Sequence, residues 1–94
     1  MKFPDVLTIS VEQKHLNEGI KSCLSCPIAL AIRDYFSACG EFPSVFVYSH
    51  EVSVSVGGWD HETYEVSHQA LIFMEAFDEG SAVEPTVLEF KKIV

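Results

Sequence analysis

Polar and apolar residues alternate from Val6 to Val11, with Leu7, Ile9 and Val11 on one side and Thr8 and Ser10 on the other. A period of two over this length predicts a half-buried strand. Ser10 followed three residues later by Gln13 has the form of a capping box, which predicts a helical turn over about 12–18. Gly19 is then expected to stop it in the left-handed conformation. Further on, Ile28, Ala31, Ile32, Tyr35 and Phe36 recur at helical spacing behind Pro27, a favourable first-turn residue. Gly40 ends this helix and Pro43 blocks its continuation.

From Ser44 the period returns to two. Val45 to Tyr48 reads as a strand, and Val52, Val54 and Val56 alternate with Ser53 and Ser55. The short link Ser49-His50-Glu51 predicts a hairpin. Gly57-Gly58 marks a turn or bulge, Trp59-Asp60-His61 continues the loop, and Thr63 to Val66 reads as a third strand of a meander. Ser67 is a good N-cap for a last helix carrying Ala70, Phe73, Met74 and Phe77, closed by Asp78-Glu79-Gly80. After Glu84-Pro85, Thr86 to Phe90 predicts a final strand with Val87 or Leu88 and Phe90 inward. The order implies an α+β fold: a mainly antiparallel sheet of four to five strands, with two main helices plus a short N-terminal helix on one face. Residues 1–94 read as one compact domain, with no repeat and no dividing linker.

Composition narrows the function. Hydrophobic residues make up 48% of the chain and charged residues 21%, the profile of a packed globule. No apolar run approaches the roughly 20 residues of a membrane span, and the first residues lack the apolar run of a signal peptide. A cytoplasmic location with no membrane contact is expected. The net charge of −8 argues against direct contact with a nucleic-acid backbone, which needs clustered Lys and Arg. Such a surface keeps a protein in solution, or attracts a basic surface of another protein.

Candidate chemistry centres on Cys23-Leu24-Ser25-Cys26-Pro27. Three cysteines, Cys23, Cys26 and Cys39, are an odd number and favour reduced thiols over a disulfide framework. A structural zinc site needs four ligands, whereas only one Cys pair is present and His50, His61 and His68 are scattered, so a zinc reading rests on His15, Cys23 and Cys26 alone and is the lesser one. A redox pair would sit directly after a strand, but Leu16 to Ser22 intervene. Cys26 is expected at the helix N-cap, where free N–H groups and the helix dipole lower a thiol pKa. A nucleophile there also needs a base, and His15 is the candidate. The favoured reading is a small buried cap residue, with neither metal nor cofactor expected.

Gly57-Gly58 lacks the helix and the Lys of a phosphate cradle. Trp59 is expected as an exposed loop aromatic or a partial lid on the core, with an interface anchor as the alternative. Acidic residues gather in two sets, Asp60, Glu62 and Glu65 with Glu51 around the meander, and Glu75, Asp78 and Glu79 with Glu84 around the end of the last helix. Paired-carboxylate hydrolysis needs two of these in one cleft, which nothing in the sequence marks.

Several stretches resemble a family of small proteins of bacteriophages and bacterial genomes. They are Ile9-Ser10-Val11 with His15 and Gly19, Cys26-Pro27-Ile28-Ala29-Leu30-Ala31, Val54-Ser55-Val56-Gly57-Gly58, and Phe77-Asp78-Glu79-Gly80 followed by Val83-Glu84-Pro85. The segment Phe42 to Glu51 and the second cysteine, Cys23, depart from the shorter forms. The resemblance implies a compact α+β domain of phage or prophage origin and no assigned reaction.

The expectation is a non-enzymatic binding protein that modulates or inhibits a host protein with a basic surface, such as a nucleic-acid-handling or defence complex. Asp60, Glu62, Glu65, Trp59, Glu75, Asp78 and Glu79 would carry the contact. The alternative is a site for a small, nucleotide-like molecule, or a thiol-dependent site, at the Cys26 helix start with His15, Trp59 and Tyr64. A third reading is a homodimer using the Val52-Val54-Val56 strand as an edge.

Overall fold

In the computed structural model, which describes residues 3–57 and 60–93, the first alternating segment forms strand β1 (Val6–Val11). Helix α1 (Gln13–Glu18) and helix α2 (Pro27–Ala38) follow. Strands β2 (Pro43–Val47), β3 (Glu51–Val56) and β4 (Asp60–Glu65) then make a meander, and helix α3 (His68–Asp78) leads into strand β5 (Thr86–Lys92). The five strands form one sheet in the order β1-β5-β4-β3-β2, and every neighbouring pair is antiparallel. The class is the α+β one that the hydropathic pattern implies.

One face of the sheet is apolar. Leu7, Ile9 and Val11 of β1, Leu88 and Phe90 of β5, Tyr64 of β4, Val52, Val54 and Val56 of β3, and Val45 and Val47 of β2 are buried together. They close on Ile28, Ala29, Ala31, Ile32 and Phe36 of α2 and Ala70 of α3, with Phe73 and Met74 packed at the margin. Helix α2 touches both β1 and β2, the two outermost strands, so the sheet curls around it. The edge of β2 also meets the loop before α2, where the Val47 N–H donates to the Cys23 carbonyl at 2.8 Å. One edge N–H of β2, at its last residue, is thereby occupied.

Several boundaries depart from the periodicity. The N-cap of α1 is Glu12, whose backbone N–H donates to His15 Nδ1 at 2.9 Å, so the Ser10–Gln13 box does not form. Gly19 is not left-handed: its φ is −69°. A Cβ there would lie 2.7 Å from the Pro27 ring and 2.8 Å from the His15 carbonyl, so glycine is required by close approach. Asp60 and His61 are strand residues of β4 instead of loop, because they pair with Val56 and Ser55 of β3. In β5 it is Leu88 that turns inward, while Val87 is exposed. Strand β3 lies between β2 and β4, so Val52, Val54 and Val56 provide no free edge for a homodimer. No helix among the described residues is long and apolar enough to cross a membrane.

Candidate functional site

Cys26 caps α2 as its sequence context predicts: its Sγ accepts from the Ala29 N–H at 3.5 Å, and Pro27 follows in the first turn. The electrostatic consequence is opposite to the one expected. Burial pushes the thiol pKa up, and this outweighs the stabilising N–H groups of Ala29 and Ile28. Cys23 is exposed and shares with Cys26 a shallow cavity walled by Lys21, Met74 and Asp78. All three cysteines are free thiols, and Cys39 sits exposed at the opposite end of the helix.

His15 belongs to another place. Its ring is buried between α1 and α2, with Nδ1 accepting from Glu12 and Nε2 2.6 Å from Asp34 Oδ2. An Nδ1 that accepts places the proton on Nε2, which donates to Asp34. The hydrogen bond from His15, assisted by Lys14 at 3.3 Å, holds the Asp34 carboxyl below the usual range. Both ring nitrogens are thus engaged, and neither is free to take a proton from a thiol.

Tyr64 offers no ring face for stacking, because its side chain is fully buried and its hydroxyl donates to the Pro4 carbonyl at 2.7 Å. Burial, with Glu62 nearby, raises its pKa to about 12. Cys26, His15 and Tyr64 are therefore three separate structural positions and not one ligand pocket. Trp59 lies outside the described residues. No group of three or more His, Cys, Asp or Glu among the described residues is placed to hold a metal ion.

The two acidic sets also differ. In β4, Asp60 and Glu62 share the pleat direction of buried Tyr64, whereas Glu65 points the other way and sits opposite Lys91 of β5. Glu62 lies 3.5 Å from Lys92, which also reaches Asp5 at 3.4 Å. This set is split between faces and partly neutralised. Glu75, Asp78 and Glu79 are different: spaced i, i+3 and i+4, they form one exposed stripe at the C-terminal end of α3. No described cationic side chain pairs with any of them.

Beside that stripe runs a groove that sequence reasoning missed. Ile72, Phe73 and Ala76 form one wall, and the chain between α3 and β5, through Val83, Glu84 and Pro85, forms the other. Ile72 lies off the buried stripe of α3 and is 54% exposed, a position the helical period alone was able to flag. On the uncovered sheet face, Phe46 and Tyr48 stack at the edge of β2 with ring centroids 6.3 Å apart.

No family model, curated protein or solved structure matches this chain.

Proposed function

We propose that this protein is a non-enzymatic binding protein that attaches through the α3 end of the molecule to a basic surface of another protein and modulates it. One observation carries the reading. Glu75, Asp78 and Glu79 form a single exposed stripe unmatched by any described cation, in a chain of net charge −8. Retaining like charges side by side costs folding stability, and a basic partner relieves it. The engagement of both His15 nitrogens and the raised pKa of Cys26 fit structural roles for the groups best suited to catalysis. The phage-type resemblance of the sequence favours a host protein as target, and a basic nucleic-acid channel of a defence or nucleic-acid-handling complex has the right charge.

The test is affinity capture from a bacterial host lysate at low and high salt, comparing wild type with Glu75→Gln/Asp78→Asn/Glu79→Gln and with Glu65→Gln. A specific basic protein retained by wild type and by Glu65→Gln, but lost from the triple variant and at high salt, is the expected result. Equal retention by all three proteins would remove the α3 stripe from the function.

A further inference from the structure

The groove between α3 and β5 encloses about 320 Å³ and opens to solvent along its length. That is near the lower end of the roughly 300–1,000 Å³ of small-molecule pockets, and a trough open on one side shields a small ligand poorly. It suits one or two side chains presented by a larger partner. Its walls are mainly apolar, with Ile72, Phe73, Ala76, Val83 and Pro85 exposed or half-buried, and Glu84 is the charged residue lining it. Glu75 lies three residues after Ile72 and Glu79 three after Ala76 on the same helix, so exposed carboxylates stand beside the apolar strip. An apolar floor beside acidic rims selects for both hydrophobicity and positive charge.

Resting on the binding function above, we propose that this groove docks a basic segment of a partner protein, seating one large aliphatic or aromatic side chain against Ile72, Phe73, Ala76 and Val83. Lys or Arg side chains flanking that anchor reach Glu75, Glu79 and Glu84. Apolar anchoring supplies most of the affinity and residence time, because exposed ion pairs are worth little each. The charges set encounter rate and exclude acidic sequences. A second copy of this chain is disfavoured in the groove, since each copy carries −8 and would bring its own carboxylates to the rim.

The experiment uses a synthetic helical peptide with Leu at i, i+3, i+4 and i+7 and Lys elsewhere. Its controls are a peptide of the same composition with scrambled order and a version with Glu in place of Lys. Binding to the full chain is followed by fluorescence anisotropy at two salt concentrations, with amide chemical shifts reporting the contact residues. The patterned basic peptide is expected to bind and to shift the resonances of Ile72, Ala76 and Val83. Ile72→Asn is expected to weaken it at least tenfold, and the Glu-substituted peptide to show no binding. Because Ile72 is exposed, that variant should keep the wild-type melting temperature within a few degrees, and circular dichroism checks this. If the scrambled peptide binds equally and Ile72→Asn has no effect, the groove proposal is overturned while a purely charge-based α3 contact survives. If no basic peptide binds at low salt, the groove proposal is overturned, and capture of a salt-sensitive partner decides the broader reading separately. Concentration-dependent sedimentation that Ile72→Asn abolishes would assign the groove to a second copy and overturn the proposal.

Discussion

His15 on α1 and Asp34 on α2 are joined by a 2.6 Å hydrogen bond, while the other ring nitrogen of His15 holds the backbone of Glu12. One buried imidazole thus caps a six-residue helix and fastens it to the helix around which the sheet curls. So short a helix has little stability of its own. Its place in the fold depends on this clamp and on the tight seat of Gly19 against Pro27.

Asp34→Asn should therefore lower stability at neutral pH, and the size of the effect should depend on pH. The folded-state pKa of Asp34 lies below the ordinary 3.8, so its contribution is full above that value and disappears as pH falls through the lower one. Denaturation curves of wild type and variant should differ at neutral pH and converge in strong acid. A difference that persists in acid strong enough to protonate Asp34 would contradict the clamp.

Gly19→Ala should destabilise the protein by roughly 1–3 kcal/mol, because the added methyl meets the Pro27 ring and the His15 carbonyl. Urea titration gives the value. Equal stability would mean that the α1–α2 corner is looser than its geometry indicates.

Tyr64→Phe should cost about 0.5–1.5 kcal/mol by leaving the Pro4 carbonyl without its donor. The tyrosine pKa is raised to about 12 in the fold, so its contribution is full below the unfolded value of 10.0 and lost as pH rises towards 12. The variant should accordingly lose less stability than wild type between those limits, as alkaline melting curves would reveal.

Thiol titration tests the Cys26 cap. Cys23 and Cys39 are exposed and Cys26 is buried with a raised pKa, so two thiols should react rapidly in the native protein and the third only on unfolding. Cys26→Ser should fold normally, since a hydroxyl accepts the Ala29 N–H at least as well. Rapid reaction of all three thiols would contradict the buried cap.

Much of the architecture was legible because strand and helix periods are strong where one face is buried. Val52-Ser53-Val54-Ser55-Val56 and the Ile28-Ala31-Ile32 stripe both report their environment directly. The start of β4 was hidden because Asp60, His61 and Glu62 are polar on both pleat directions, and pairing with β3 overrides their weak strand preference. Partner strands set β3 inside the sheet, which local pattern cannot register. The Cys26 cap was readable from Pro27, but its pKa direction was not, because desolvation depends on what α3 and β2 lay over it. His15 and Asp34 are 19 residues apart, and no spacing rule links them. The α3 stripe was visible as a cluster, whereas the groove beside it exists only once the chain through Val83 folds back along the helix.

The most direct test of the account is the association rate of the captured partner as a function of ionic strength. It is measured for wild type and for Glu75→Gln/Asp78→Asn/Glu79→Gln. Wild type should associate fast at low salt and slow steeply as salt screens the stripe, while the variant should be slower and nearly salt-independent at unchanged folding stability. Identical salt dependence in the two proteins would contradict the claim that this face meets the partner.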